Sequence, residues 1–484
     1  MSTENLREAA VKGVFWTSIE KFGSQILSLV LGIIIARILT PADYGIIGMT
    51  AIFIAVATTL IDSGFGSALI QNQKRTNDDF SACLYFNVTL AVTLYAAIFI
   101  CAPLIADFYE LPVLRPVVRL LGLTLIFNSL TVSQTAMLTV EFRFRDLCIA
   151  TIGSQLITGI VALILALKGF GVWALVGQQV SASVLRVVFI SFFTRWLPAL
   201  SFKKAAFRRL FSYGSKITYS SLINTIYTNS YTLVIGKVFS AVDVGYYTRG
   251  NQFASLPAQT LLQVIMKIAF PLMAKVQDDT ARLRNAYQKF LRMSVYILYP
   301  ILAGLAVLAE PFISVLLGER WIGCVPYLQL LCIGAMFDPL THINLNILYV
   351  KGRTDLVLKL ELIKKPIAFA LLFASIPFGI MWVCASWSFY GFIAYCFNCY
   401  YTARYINLGF WKQMAFCLPV VFKAIIMGAA CFAVACFFSN AALQLAVGIA
   451  TGIIVYCLVS VLTHDESLND IKDIIMQRRK SGKS

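Results

Sequence analysis

Acidic residues are scarce in this chain, with 23 Asp and Glu against 40 Lys and Arg, and charged residues of both signs make up only 13% of its 484 positions. A soluble globular surface needs more charge than that, so the deficit argues against a soluble fold. Histidine is scarcer still, at two, and the twelve cysteines fall inside apolar runs. The one close pair, Cys396 and Cys399, has no second pair to complete a metal site. The cysteines therefore read as small apolar packing residues, and no metal, redox centre or cofactor is expected. A phosphate-binding loop is also lacking: Gly482-Lys-Ser484 has Gln477 where the partner glycine belongs, which argues against a nucleotide-driven pump. Expected outer loops run to no more than roughly a dozen residues, too short for the catalytic loop or acid cluster of a membrane enzyme.

What the chain has in excess is hydrophobic material, 59% of residues, with a mean hydropathy of +0.79. Since a spanning helix takes about 20 mostly apolar residues, the pattern predicts an all-α integral membrane protein of about fourteen transmembrane helices. The expected spans are 13–38, 44–70, 80–106, 116–140, 148–167, 172–194 and 213–238, then 251–274, 293–317, 324–350, 358–380, 382–403, 414–437 and 441–462. The first apolar run, near 11–39, contains Glu20 and Lys21 and shows no small-residue cleavage site, so it is expected to be a retained helix. The net charge of +17 is spread singly and in small groups between these runs. That placement is a topology signal and not a nucleic-acid footprint. Alternate loops hold 28 Lys and Arg in one set and 7 in the other, which puts the richer set and both termini in the cytoplasm.

An internal repeat at an offset of 200 residues relates Ile35–Ile47 to 235–247, with Arg37 matching Lys237, Asp43 matching Asp243 and Gly45 matching Gly245. Six spans precede the offset and six follow, so the copies enter the membrane in the same direction, as parallel repeats. The expected organisation is a six-helix lobe over 1–200, a second over 201–405, two further helices within 406–462 and a basic cytoplasmic tail over 463–484.

Several motifs resemble one family. They are the turn Arg37–Gly45, the run Gly169-Phe-Gly-Val-Trp-Ala-Leu-Val176, Trp196-Leu-Pro-Ala-Leu-Ser-Phe202, Gly245-Tyr-Tyr-Thr-Arg249, Phe270-Pro271 with Gln277-Asp278, and Leu317-Gly-Glu-Arg-Trp321. Together, over about residues 10–355, the chain resembles the polysaccharide repeat-unit flippases of the multidrug/oligosaccharidyl-lipid/polysaccharide exporter superfamily. The resemblance implies two six-helix lobes, an undecaprenyl-diphosphate-linked oligosaccharide as substrate, and alternating access driven by an ion gradient or the membrane potential. It also implies residence in a bacterial inner membrane, with polysaccharide polymerase machinery as a possible partner. The chain departs from the related peptidoglycan-precursor flippases in the first helix, where Gln25 and Leu31 stand in place of characteristic arginines.

Polar residues in hydrocarbon mark a pathway or a packing contact. The seventh span places Tyr213, Lys216, Ser220, Asn224, Tyr227 and Tyr231 on one helix face. Hydroxyls, amides and flat rings suit sugars, and a cation suits a diphosphate. The first span is polar at the matching places, with Glu20, Lys21, Ser24, Gln25 and Ser28. Gln259, Gln263 and Lys267 follow at helical spacing in the eighth span, and Arg186 lies in the sixth. The candidate substrate-binding set is Lys21, Lys216, Lys267, Arg186, Tyr213, Asn224, Tyr227, Gln259 and Gln263. Asp62, Glu20 and also Glu310 are candidates for ion coupling. Each has a plainer reading: helix-to-helix hydrogen bonding for the neutral groups, pairing with an acid for Lys21, snorkelling for Lys267 and Arg186, and structural pairing for the acids. The rival classes are a multidrug cation antiporter of the same superfamily and a membrane-embedded polysaccharide enzyme. Cations outnumber acids among the candidates, which favours an anionic substrate.

The charge asymmetry predicts that cysteines placed at Ser201 and Thr280 on a cysteine-free background will escape an impermeant thiol reagent in intact cells and label once the cells are permeabilised. Ready labelling of either from outside contradicts the orientation.

Overall fold

The computed structural model describes residues 3–62, 64–72, 75–199 and 204–465, and the side chains among them except 3–11, 204–217 and 220. In chain order the helices are α1 (Thr3–Ile38), α2 (Pro41–Asp62), α3 (Phe65–Gln71), α4 (Asn77–Tyr109), α5 (Leu114–Val140), α6 (Phe144–Leu167), α7 (Val172–Thr194) and α8 (Lys204–Val238). There follow α9 (Ala241–Lys275), α10 (Thr280–Val307), α11 (Ala309–Leu316), α12 (Val325–Ala335), α13 (Asp338–Val350), α14 (Thr354–Ser375), α15 (Ile380–Ile406), α16 (Phe410–Ala435) and α17 (Ala441–Leu462). Short 3₁₀ turns at Glu319–Cys324 and Ile376–Phe378 join α11 to α12 and α14 to α15. Among the described residues twelve segments are long and apolar enough to cross a membrane. The helices α8 and α14 are long enough to span but too polar for that criterion, so twelve spans stand among the described residues against the about fourteen expected from sequence.

Three expected spans are broken. Residues 44–70 form α2 and α3, separated at Gly64, whose φ of 65° lies in the left-handed region that glycine tolerates. Residues 293–317 divide at Leu308 into α10, which starts earlier than expected, and α11. Residues 324–350 divide into α12 and α13.

The chain packs as two compact units, Met1–Gly245 and Tyr246–Ser484. The first continues past residue 200 because α8 packs on α2, α3 and α4. The linker before α8 is itself pinned to α4: Ser81 Oγ accepts from the Ala199 amide at 2.9 Å, and Tyr85 donates its hydroxyl to the Ala199 carbonyl at 3.0 Å. In the second unit α16 and α17, which lie outside the repeat, pack on α10 and α11. Gln413 of α16 is fully buried, accepting from Tyr287 of α10 at 2.8 Å and from Asn344 of α13 at 3.1 Å.

The repeat motif acts through capping and close approach. Asp43 accepts from the Thr40 hydroxyl at 2.7 Å and the Thr40 amide at 2.9 Å, and Thr40 Oγ1 accepts from the Asp43 amide at 3.3 Å. Asp243 repeats the arrangement with Ser240, at 2.6 Å and 3.1 Å. These reciprocal bonds satisfy amides that a helix start leaves orphaned. The two capped starts lie against each other: a Cβ on Gly45 would stand 1.6 Å from the Ala241 carbonyl oxygen, and one on Gly245 would stand 2.0 Å from that of Pro41. Lys237 reaches Glu110 at 3.0 Å beside this crossing.

Of the 28 cations that the sequence assigns to the inside set, Lys364 and Lys365 lie within α14, where the Lys364 side chain is only 2% exposed. Arg353, in the turn before α14, binds Asp355 of the helix's first turn at 2.9 and 2.7 Å, and its guanidinium holds the Asp355 carboxyl below the usual carboxylate range.

Because no side chain can enter that crossing without moving backbone, Gly45→Ala is expected to cost upwards of about 3 kcal/mol and to lower the yield of folded protein. Gly409→Ala, where nothing lies within 4 Å, is expected to change stability by no more than about 0.5 kcal/mol. Thermal unfolding of the purified variants in detergent measures both.

Candidate functional site

The first unit carries a partly open cavity of about 600 Å³ lined from five helices. It contains Thr58, Thr59 and Asp62 of α2, Ser67 of α3, a stripe of α5, Arg186 of α7, and Thr218 and Ser221 of α8. Asp62 is the last residue of α2, where a carboxylate meets the negative end of the helix dipole and gains from a facing cation. Arg186 supplies it: the two line the same cavity and interact electrostatically. Arg186 is half-buried, and its Nε is buried without a hydrogen-bond partner. Thr59 Oγ1 and Thr225 Oγ1 lie 3.0 Å apart, joining α2 to α8 at the cavity. A smaller cavity of about 400 Å³ at the α4–α5 turn is bordered by Asp107, Glu110 and Arg115 and contains none of the candidate residues.

The α5 stripe was missed by the sequence reading. Asn128, Thr131, Thr135 and Thr139 all face the cavity at steps of three, four and four. The helical-spacing test that singled out α8 would have found them. Thr135 Oγ1 is buried without a partner, so the cavity wall carries a hydroxyl with bonding capacity to spare.

The other candidates are dispersed. Lys21 is exposed on α1, and its backbone carbonyl accepts from Ser24 at 3.2 Å. Glu20 is half-buried and accepts from Thr151 of α6 at 2.9 Å. On α8, Asn224 is exposed, whereas Tyr227 (8% exposed) and Tyr231 (1%) are buried with edge-on rings 6.4 Å apart. The polar face therefore turns from open to packed along the helix. The side chains of Tyr213 and Lys216 lie outside the described residues. Gln259, Gln263 and Lys267 form an exposed strip on the part of α9 that belongs to the second unit, and Glu310 is exposed at the start of α11. Among the described residues no group of three His, Cys, Asp or Glu is arranged to hold a metal.

The fold and the cavity define an all-helical, multi-pass membrane protein with a polar, charged interior, an architecture shared with solved transporters. A structure titled lipid II flippase MurJ, inward closed conformation, superposes with a TM-score of 0.73 at 15% identity, covering 96% of this chain and 100% of that one. An inward-facing multidrug resistance MATE family transporter superposes with a TM-score of 0.62 at 12% identity, covering 84% and 98%. The sequence is more specific than the fold. This chain belongs to the polysaccharide biosynthesis protein family, whose profile matches residues 34–326. Its relatives include the lipopolysaccharide biosynthesis protein WzxC of Escherichia coli K12, 28% identical over 74% of each chain. Teichuronic acid biosynthesis protein TuaB of Bacillus subtilis is 25% identical over 96% of this chain and 97% of its own. Succinoglycan biosynthesis transport protein ExoT of Rhizobium meliloti is 26% identical over 71% and 69%.

Proposed function

We propose that this protein is a flippase that carries a lipid-diphosphate-linked polysaccharide repeat unit from the cytoplasmic to the periplasmic leaflet of a bacterial inner membrane by alternating access. Its membership of the polysaccharide biosynthesis family, with residues 34–326 matched, carries the reading. A relative named as a transport protein for succinoglycan biosynthesis supports transport over synthesis. In this reading both termini are cytoplasmic, and a polymerase receives the unit on the far side.

The chemistry of the candidate residues fits an anionic glycolipid. In the first unit Arg186, with Lys21 and Lys216, offers cations to a diphosphate, and Lys267 is the second unit's own candidate cation. Asn224, Gln259 and Gln263, together with the α5 hydroxyls at the cavity, offer hydrogen bonds to sugar. Tyr213 is assigned to the same substrate face. Tyr227, being buried, fits a positioning role for α8 better than a stacking platform. Asp62, opposite Arg186, remains the acid of the cavity through which an ion could act on the cation. Glu20, already bonded to Thr151, fits packing better than coupling. A multidrug antiporter would need acids to hold cationic drugs, and cations predominate over acids in this set.

Arg186→Ala and Lys216→Ala are each expected to leave the protein in the membrane but impair polysaccharide export. Each lost charge-assisted hydrogen bond is worth roughly 1.5 to 3 kcal/mol, about ten- to a hundredfold in affinity. Lys216→Arg should keep part of the activity, and Lys216→Glu should fall below alanine, since it repels phosphate. Export complementation at matched membrane expression reads these outcomes, with lipid-linked units accumulating on the cytoplasmic face. Wild-type export from Arg186→Ala, Lys216→Ala and Lys216→Glu together would remove these residues from the site.

A further inference from the structure

The polar residues of α5 are put to two different uses. Ser133 donates to the Phe80 carbonyl of α4 at 3.0 Å, and Gln134 accepts from Ser191 of α7 at 3.2 Å. Such bonds join helices, the ordinary use of a polar group within a span. Asn128, Thr131, Thr135 and Thr139 line the cavity instead, and among the described residues none of their side chains bonds a neighbouring helix. Helix packing therefore accounts for one polar face of α5 and leaves the other turned to open space.

The hydrogen bonds of that second face decide what it can receive. A hydroxyl has one proton, and Thr131 gives its own to the Asn128 carbonyl at 2.8 Å, as Thr139 does to the Thr135 carbonyl at 2.7 Å. What these two groups turn to the cavity is lone pairs, and redirecting either proton outward would break a bond already made. Across the cavity on α2, Thr59 is committed in the same way. It donates to the Ala55 carbonyl at 2.8 Å, so Thr225, 3.0 Å away, must be the donor of the pair they form.

An accepting wall calls for donors opposite it. Sugar hydroxyls and acylamino N–H groups are donors, whereas phosphate oxygens only accept. Asp62, which lines the same cavity, adds a carboxylate that repels phosphate. The cation stands on another helix: Arg186 of α7, whose Nε is buried without a partner. Eight of the sixteen described lining residues carry a hydroxyl and one carries a positive charge, so most of this polar surface suits a polyol. A volume of about 600 Å³ lies inside the range of roughly 300 to 1,000 Å³ that small-molecule pockets occupy.

Asp62 ends α2, and Thr139 stands one residue before the end of α5. In the orientation proposed above these ends are cytoplasmic, on the side where the substrate loads. We infer that the α5 stripe of Asn128, Thr131, Thr135 and Thr139 discriminates among sugars by accepting hydrogen bonds from the ring nearest the diphosphate, while Arg186 holds the diphosphate from the α7 side. Thr135, whose proton is uncommitted, can also donate to a ring oxygen or an acyl carbonyl. The inference rests on the flippase reading and places its specificity in residues that carry no charge, so that the sugar is checked on loading and apart from the anionic group every such carrier shares.

The test measures binding of four lipids to the full-length protein in nanodiscs: undecaprenyl diphosphate without sugar, and the same carrier bearing glucose, galactose or N-acetylglucosamine. The wild type should bind at least one of the sugar-bearing lipids about tenfold more tightly than the bare carrier. Thr131→Val/Thr139→Val keeps side-chain shape and removes the acceptors. It should lose that preference and bind the bare carrier as the wild type does. Arg186→Ala should weaken all four lipids and keep the preference. An undiminished preference in the valine pair would overturn the inference, and so would equal weakening of all four lipids by that pair, the mark of a packing role. If the pair does not fold, Thr139→Val alone, at a half-buried position, decides on the same terms. A wild type that binds the four lipids equally overturns the inference and leaves the flippase reading standing. A wild type that binds none of them fails the flippase reading, and the inference falls with it.

Discussion

Hydrocarbon offers a backbone amide nothing to bond to, and that constraint shapes the rest of this protein. It forces the spanning chain into helices, and it makes every break in a helix and every polar side chain inside one a choice needing compensation. The breaks at Gly64 and Leu308 and the buried bonds of Gln413 and Asn398 are all settled inside protein. The capped helix starts at Asp43 and Asp243 solve the same problem at the ends. Where compensation is incomplete, as at Arg186 Nε and Thr135 Oγ1, the groups concerned border the cavity of the first unit.

The repeat motif shows how the constraint becomes architecture. The shared acid caps a helix and the shared glycine admits a carbonyl, so each copy makes a helix start that a second such start can touch. Gly45 meets Ala241 and Gly245 meets Pro41 in a reciprocal pair. The residues that most clearly signal this chain's internal repeat are thus structural. The candidate substrate residues lie elsewhere on the helices and offer hydroxyls, amides and cations.

Much of the fold was legible because hydropathy and loop charge report on lipid directly. Helix order and the approximate number of spans followed from apolar runs, and the correspondence of the two turns at 37–45 and 237–245 followed from the repeat, whereas their capping bonds did not. What escaped was partnership. Tyr227 and Asn224 look alike on a helical wheel, yet one is packed and the other open, because burial depends on the neighbour and not on the period. Lys364 and Lys365 look like interfacial cations when α14 is read alone. Their placement depends on Glu361 beside them and, for Lys364, on Asn398 in the next helix, 34 positions away. Asp62 and Arg186 stood out separately, and only folding brings α2 and α7 to one cavity. The α5 stripe is legible in the sequence at steps of three, four and four, but its hydroxyls carry no charge that sets them apart from ordinary helix-packing threonines.

The central claim is that an anionic lipid-linked sugar, and not a cationic drug, is the cargo. Purified protein in liposomes, given a lipid-diphosphate-linked oligosaccharide in one leaflet and a cationic dye such as ethidium in the lumen, tests it most directly. The account predicts that the sugar becomes accessible to an impermeant oxidant on the opposite face faster than in protein-free liposomes, with dye efflux unchanged. Dye efflux above that background, with the sugar remaining on its original face, would contradict it.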